Sequence, residues 1–144
     1  MSTEQNKAVV RRFFEEGLSK TNNAVFDELL DPAFSLHGAP PGLPPGPAGL
    51  KLLVGMFRTA FPDYRDTLEE VMAEGDKVVA RWTFRGTQQG DFQGVRPTGK
   101  EVVMTGISIF RLAGNKITDD WTVFDLLGLM QQLGVVPASG RAAS

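Results

Sequence analysis

Gly106-Ile107-Ser108-Ile109-Phe110-Arg111, followed by Gly114-Asn115-Lys116-Ile117-Thr118-Asp119-Asp120-Trp121 and ending on Asp125, decides how this chain reads. Alternating apolar and polar residues on either side of Ala113-Gly114-Asn115 predict a hairpin, with strands over Glu101–Leu112 and Lys116–Phe124. Leu126, Leu127, Met130 and Leu133 then make a short closing helix, ended by Gly134. The same stretch sets Ser, Thr, Asp and Trp among apolar strand residues, where polar groups need partners.

Working backwards, Lys77–Gly86 and Thr67–Glu74 flank Gly75-Asp76 and predict a second hairpin. In it Ala80, Trp82 and Phe84 share one face, and Arg81, Thr83 and Arg85 the other. Gln88–Gly99 reads as a loop. Before the strands come helices. Ser2 and Gln5 have capping-box spacing, and Val9, Val10, Phe13, Phe14 and Leu18 recur at helical intervals, so a helix runs from Thr3 to Lys20. Asn22 or Asn23 caps a second helix through Val25, Phe26, Leu29 and Leu30, which Pro32 ends. Ala33–His37 is a short strand. Gly38–Pro47 is too rich in Gly and Pro for a regular element. Pro47 opens a third helix with Leu50, Leu53, Val54, Phe57 and Phe61 on its apolar face, stopped by Pro62. Helices first and strands after, without βαβ alternation, predict an α+β fold. Three N-terminal helices pack on a curved, mainly antiparallel sheet to make a cone whose open end suits a small molecule. Residues 1–134 form that domain, with 135–144 a flexible tail.

Composition narrows the function. The chain has 144 residues, a net charge of -2, no cysteine and one histidine. That excludes disulfides, thiolate metal sites and a His-rich metal centre, and it offers no basic face for nucleic acid. No apolar run reaches the ~18 residues of a membrane span, and the polar N-terminus lacks a signal-peptide core, so a cytoplasmic protein is expected.

The candidate chemistry rests on few residues. His37 ends the first strand beside the Gly/Pro loop, and an imidazole is suited to proton transfer near neutral pH. Asp119 and Asp120 are adjacent on one strand and so face opposite ways, which rules out a shared carboxylate pair. With Asp120 inward, Thr118, Thr122 and Phe124 face inward too. Met104, Ser108 and Phe110 share one face of the partner strand, and Ile107, Ile109 and Arg111 the other. Asp125, at the start of the last helix, is a cap or a site residue. Phe13, Phe57, Trp82 and Trp121 are core, contact or substrate-binding residues.

Several segments in order resemble the SnoaL-like polyketide cyclase family, in its ester-cyclase-type set within the nuclear-transport-factor-like superfamily. They are Phe34-Ser35-Leu36-His37-Gly38, Gly49, Ala60-Phe61-Pro62-Asp63, Arg85-Gly86-Thr87, Phe92-x-Gly94-x-x-Pro97-Thr98-Gly99-Lys100, Gly106-Ile107-x-Ile109-x-Arg111, Lys116-Ile117, Trp121-x-x-x-Asp125 and Gln132-Leu133-Gly134. The resemblance implies a cone-shaped homodimer joined through its sheet, with no metal or organic cofactor, and ring closure by intramolecular aldol chemistry. It also implies an aspartate on the last long strand, helped by a histidine on its neighbour. In this chain Thr122 falls at that aspartate position and Ser108 at that histidine position. Asp120, two residues earlier with the same parity, is the replacement acid–base group. His37 would relay a proton, Asp125 would orient a neighbour, and Ser108 and Thr122 would bind the substrate oxygen. The expectation is therefore a cofactor-free cyclase or isomerase acting on a hydrophobic carbonyl compound. A non-catalytic small-molecule binding protein, or an epoxide-hydrolase-like or ketosteroid-isomerase-like enzyme on the same fold, is the alternative.

Overall fold

A computed structural model describes residues 2–136, so the expected tail from Pro137 onward lies outside the described residues. Helix α1 spans Thr3–Arg12 and opens on the Ser2/Gln5 capping box. It continues without a break into a π-helical turn, Phe13–Leu18. Gly17 sits under the Phe26 ring, where a Cβ would collide. The wide turn presents Phe13, Phe14 and Leu18 together to the interior, and π-turns of this kind recur at functional sites. Helix α2, Asn23–Leu29, is capped by Asn22, and α3, Pro47–Ala60, has proline in its first turn.

Five strands follow the order β1-β5-β4-β3-β2: β1 Leu30–His37, β2 Arg65–Glu74, β3 Lys77–Thr87, β4 Glu101–Ala113 and β5 Lys116–Phe124. β1 runs parallel to β5 and the other pairs are antiparallel. Helix α4, Leu126–Gln132, closes the chain, with Asp125 accepting the Gly128 N–H at its start. The expected α+β cone is the observed fold. Several boundaries differ by one to three residues, and two of the differences bear on the site. Pro32 does not end α2; it lies within β1, an edge strand, whose register with β5 is irregular between Leu30 and Ser35, as suits a residue with no N–H to donate. β2 begins at Arg65, two residues before the expected start.

The helices cover one face of the sheet. Phe13, Phe14, Phe26 and Phe110 form one cluster of edge-on and tilted rings, and Phe57, Phe61, Phe84 and Phe92 form another with Tyr64. Arg58 ties α3 to both neighbours, donating to the carbonyls of Leu18, Ser19 and Tyr64 and to the Thr21 hydroxyl. The loop after β3 is also packed: buried Gln88 donates to the Gly90 and Val95 carbonyls and accepts from the Thr98 N–H and hydroxyl.

On the inner face, Trp82 of β3 pairs with Gly106 of β4. A side chain at Gly106 would enter the space held by the indole ring. Gly106→Ala is therefore expected to push Trp82 off its Ser108 partner and to cost about 1–3 kcal/mol, the usual range for overpacking. A urea titration, followed by indole emission in a Trp121→Phe background, would register both changes.

Candidate active site

The cone opens into a cavity lined mainly by apolar side chains with a few polar groups among them, the make-up of small-molecule sites. Each element supplies one side. Phe13, Phe14 and Leu18 come from the π-turn, and Leu50, Leu53, Val54 and Phe57 from α3. Trp82 and Phe84 come from β3, Met104 and Ser108 from β4, and Asp120, Thr122 and Phe124 from β5. Leu36, His37, Gly38 and Ala39 stand where β1 meets the Gly/Pro loop, and Tyr64 and Asp66 line the wall at the start of β2.

The polar groups on the sheet side form a chain. Trp82 Nε1 donates to Ser108 Oγ at 3.0 Å. Ser108 Oγ and Thr122 Oγ1 lie 2.8 Å apart, and Thr122 Oγ1 donates to Asp120 Oδ1 at 2.5 Å. An indole N–H can only donate, and Thr122 spends its hydrogen on the carboxylate, so Ser108 must donate to Thr122. The chain thus runs one way and ends on Asp120. Asp120 is 4 % exposed, and burial pushes its pKa up to about 7 against the Thr122 hydrogen bond and the positive influence of His37. Its Oδ2 has no hydrogen-bond partner among the described residues.

Asp119, one residue earlier, faces the other way. It does not stand free in solvent. His37 Nε2 donates to its Oδ1 at 2.9 Å, and Arg111 and Thr118 donate to its Oδ2. The His37 hydrogen bond, with those from Thr118 and Arg111, holds its pKa below the usual carboxylate range. The His37 ring stacks on Trp121 at 4.7 Å and 7°. His37 therefore meets the cavity at its rim, bonded to Asp119 and not to Asp120.

Of the residues singled out from the sequence, Phe13, Phe57, Trp82, Met104, Ser108, Asp120, Thr122 and Phe124 line the cavity with His37. Three do not. Phe110 has the expected parity but is sealed beneath Phe13 and Phe14. Trp121 is on the outer face of the sheet, 38 % exposed. Asp125 caps α4. Thr118 also departs from the expected inward set, because the β4–β5 register shifts beside it, between Arg111 and Leu112. Its hydroxyl turns back to the Arg111 carbonyl and Asp119. Ser108 and Thr122 were expected to meet a substrate oxygen, but their hydroxyl hydrogens are committed to the chain that ends on Asp120. Sequence reasoning missed Tyr64 and Asp66. Their signal was parity, since Asp66 alternates with Leu68 along β2 and so faces inward. Among the described residues no group of three His, Cys, Asp or Glu side chains lies together as a metal site would, and no helix is long and apolar enough to cross a membrane.

No curated protein matches the sequence. Solved structures match over nearly the whole chain. TsrD from Streptomyces laurentii is 26% identical, with a TM-score of 0.85 over 94% of this chain and 99% of that one. IdmH from Streptomyces antibioticus, described as a candidate polyketide cyclase, is 29% identical, with a TM-score of 0.80 over 91% and 99%. A candidate polyketide cyclase from Acidithiobacillus ferrooxidans is 33% identical, with a TM-score of 0.79 over 93% and 98%. The family profile for SnoaL-like polyketide cyclase spans residues 8–133, from the first buried turn of α1 to the end of α4. Every element that walls the cavity falls within that match, and the chain belongs to the SnoaL-like polyketide cyclase family.

Proposed function

We propose that the protein is a cofactor-free acid–base enzyme acting on a hydrophobic, carbonyl-bearing small molecule, with ring closure of a polyketide-like ester or a related isomerisation as its reaction. The observation that carries this reading is Asp120, a carboxyl in an apolar cavity, fixed through one oxygen and raised to about 7. A group that titrates near the working pH is the most effective proton carrier in both directions. As carboxylate, Asp120 takes a proton from the carbon next to a substrate carbonyl. The resulting enolate carbon attacks a second carbonyl of the same molecule, forming the C–C bond. The new alkoxide oxygen then takes the proton back from Asp120, which returns to its starting state. Ser108 and Thr122 hold the carboxyl in place, and His37 stands at the rim, held by Asp119. The apolar lining from α1 and α3 keeps water away from the enolate.

We further propose that the enzyme is a homodimer joined through the outer face of the sheet. Ile107 pairs with Val123 and Ile109 with Trp121 across β4 and β5. All four are exposed, Val123 to 78 % and Ile107 to 50 %, and so contiguous an apolar surface is a mark of an interface.

Asp120→Asn is expected to cut turnover by about 10²-fold or more while the fold is kept, assayed on a panel of β-keto esters and steroid-like enones. Equal turnover in the two proteins would refute the mechanism, and a wild type that binds but turns over none of the panel would favour the non-catalytic binding protein. Stability should also depend on pH through Asp120. Its folded pKa of about 7 exceeds its ordinary value of 3.8. The proton is thus held more tightly in the folded chain, and the stabilisation is complete below the ordinary value and is lost as pH rises through about 7. Asp66, raised by burial to about 6, slopes the same way. Urea midpoints taken between about pH 4.5 and pH 8 should fall more steeply in wild type than in Asp120→Asn. In light scattering, wild type should have the mass of a dimer and Val123→Lys that of a monomer; a monomeric wild type at micromolar concentration would end the interface proposal.

A further inference from the structure

The wall of the cavity formed by the start of β2 carries a second polar pair that the acid–base reading does not use. Tyr64 Oη donates to Asp66 Oδ2 at 2.5 Å. Asp66 Oδ1 is buried and has no hydrogen-bond partner. Both residues line the cavity, and Asp66 lies opposite Phe84 in the β2–β3 pairing. A carboxyl with one orphaned oxygen in apolar surroundings is costly, and such a group needs a reason. The pair is held firmly. The Arg58 guanidinium lies 4.8 Å from the centre of the Tyr64 ring and donates to the Tyr64 carbonyl at 2.9 Å. Phe57 and Phe84 pack the ring from other sides. A tyrosine clamped in this way does not need ordering when something binds to its hydroxyl.

We propose that Tyr64 and Asp66 form a second oxygen-binding site in the cavity, which receives a hydroxyl or carbonyl oxygen of a ligand whose other oxygen function is at Asp120. The chemistry suits both kinds of oxygen. With Asp66 ionised, the carboxylate accepts a hydrogen bond from a ligand hydroxyl. With Asp66 protonated, it can donate to Tyr64 Oη, and the freed phenol hydrogen turns to a ligand carbonyl. Burial raises the pKa of both groups, so both forms of Asp66 are within reach near neutral pH. The ligand class that follows is an apolar skeleton with oxygen functions at two separated points, not a simple hydrocarbon chain with a single carbonyl. This proposal rests on the reading of the cavity as the ligand site.

Calorimetric titration with 2-naphthol and with naphthalene-2,6-diol and naphthalene-2,7-diol tests it. In wild type the better diol should bind about tenfold tighter than 2-naphthol, the effect of one added hydrogen bond to a charged or polarised partner. Tyr64→Phe and Asp66→Asn should each bring that ratio close to one while 2-naphthol keeps its affinity, a control that the cavity is still formed. Asp120→Asn should weaken all three probes and leave the ratio in place. A wild-type ratio near one, or a ratio that survives both Tyr64→Phe and Asp66→Asn, would overturn the second site and leave the acid–base reading standing. Failure of every probe to bind wild type would overturn the cavity reading, and this proposal with it.

Discussion

Dehydration of the Asp120 carboxyl is the constraint to which the rest of the structure answers. In water the group would be ionised and would need no help. On the inner face of β5 it has a single protein partner, the Thr122 hydroxyl, and that partner is oriented by two groups behind it. The order of the chain is set by its ends, because an indole can only give a hydrogen bond and a carboxylate can only take one. Three strands must therefore be in register. Trp82 has to meet Gly106, and Ser108 has to meet Thr122. Gly106 is required because the indole occupies the room a side chain would take. The π-turn of α1 belongs to the same requirement, since it brings Phe13 and Phe14 over the cavity that keeps Asp120 dry.

Adjacent carboxylates on β5 show how far environment alone separates two identical groups. Asp120 faces the apolar interior and its pKa rises. Asp119 faces the other side of the sheet, takes hydrogen bonds from His37, Arg111 and Thr118, and its pKa falls. The strand's alternation thus yields a carboxyl raised to about 7 and a fixed anion in consecutive residues. The anion also anchors the histidine. His37 lies between Asp119 and the Trp121 ring, and Gly38 after it approaches the Thr122 carbonyl too closely for any side chain. The edge strand β1 is in this way pinned to β5 at the rim of the cavity.

Much of the fold was legible because its punctuation is local. Capping residues, the two hairpin turns, Pro47 and strand parity each act over a few residues and gave the right elements. The motif residues turn out to be largely architectural. Asp63 accepts from the Thr87 N–H and hydroxyl, Gln132 pairs with both backbone groups of Val103, and Asp125 caps α4. These explain why the segments recur in order without revealing any chemistry. What the sequence hid was non-local. Parity placed Phe110 inward, but only the packing of Phe13 and Phe14 over it removes it from the cavity. Parity failed for Thr118 because a register shift beside it is not encoded in alternation. His37 looked free to act on a substrate, and its commitment to Asp119 depends on a parallel pairing of distant strands. Tyr64 and Asp66 sit where β2 starts earlier than its apolar pattern suggests, so their inward parity went unread.

Ser108 and Thr122 occupy the positions at which the family resemblance calls for a histidine and an aspartate. A hydroxyl in place of each would by itself abolish proton transfer. On the reading proposed above, that role passes to Asp120. A shift of two residues along a strand moves a side chain roughly 6–7 Å and leaves it on the same face, whereas a shift of one would have turned it to the outside, where Asp119 is. Asp120 is thus the nearest position on β5, on the Thr118 side of Thr122, from which a carboxyl can still enter the cavity. With a carboxyl there, Ser108 and Thr122 link it to Trp82. Hydroxyls suit those positions, since each can accept from one neighbour and donate to the next. A second carboxylate or an imidazole there would compete for the same hydrogen bonds, and a carboxylate at 122 would set like charge against Asp120 in a dry cavity. The small hydroxyl residues are therefore what a buried carboxyl at Asp120 requires of its neighbours, each passing a hydrogen bond along the chain that ends on it.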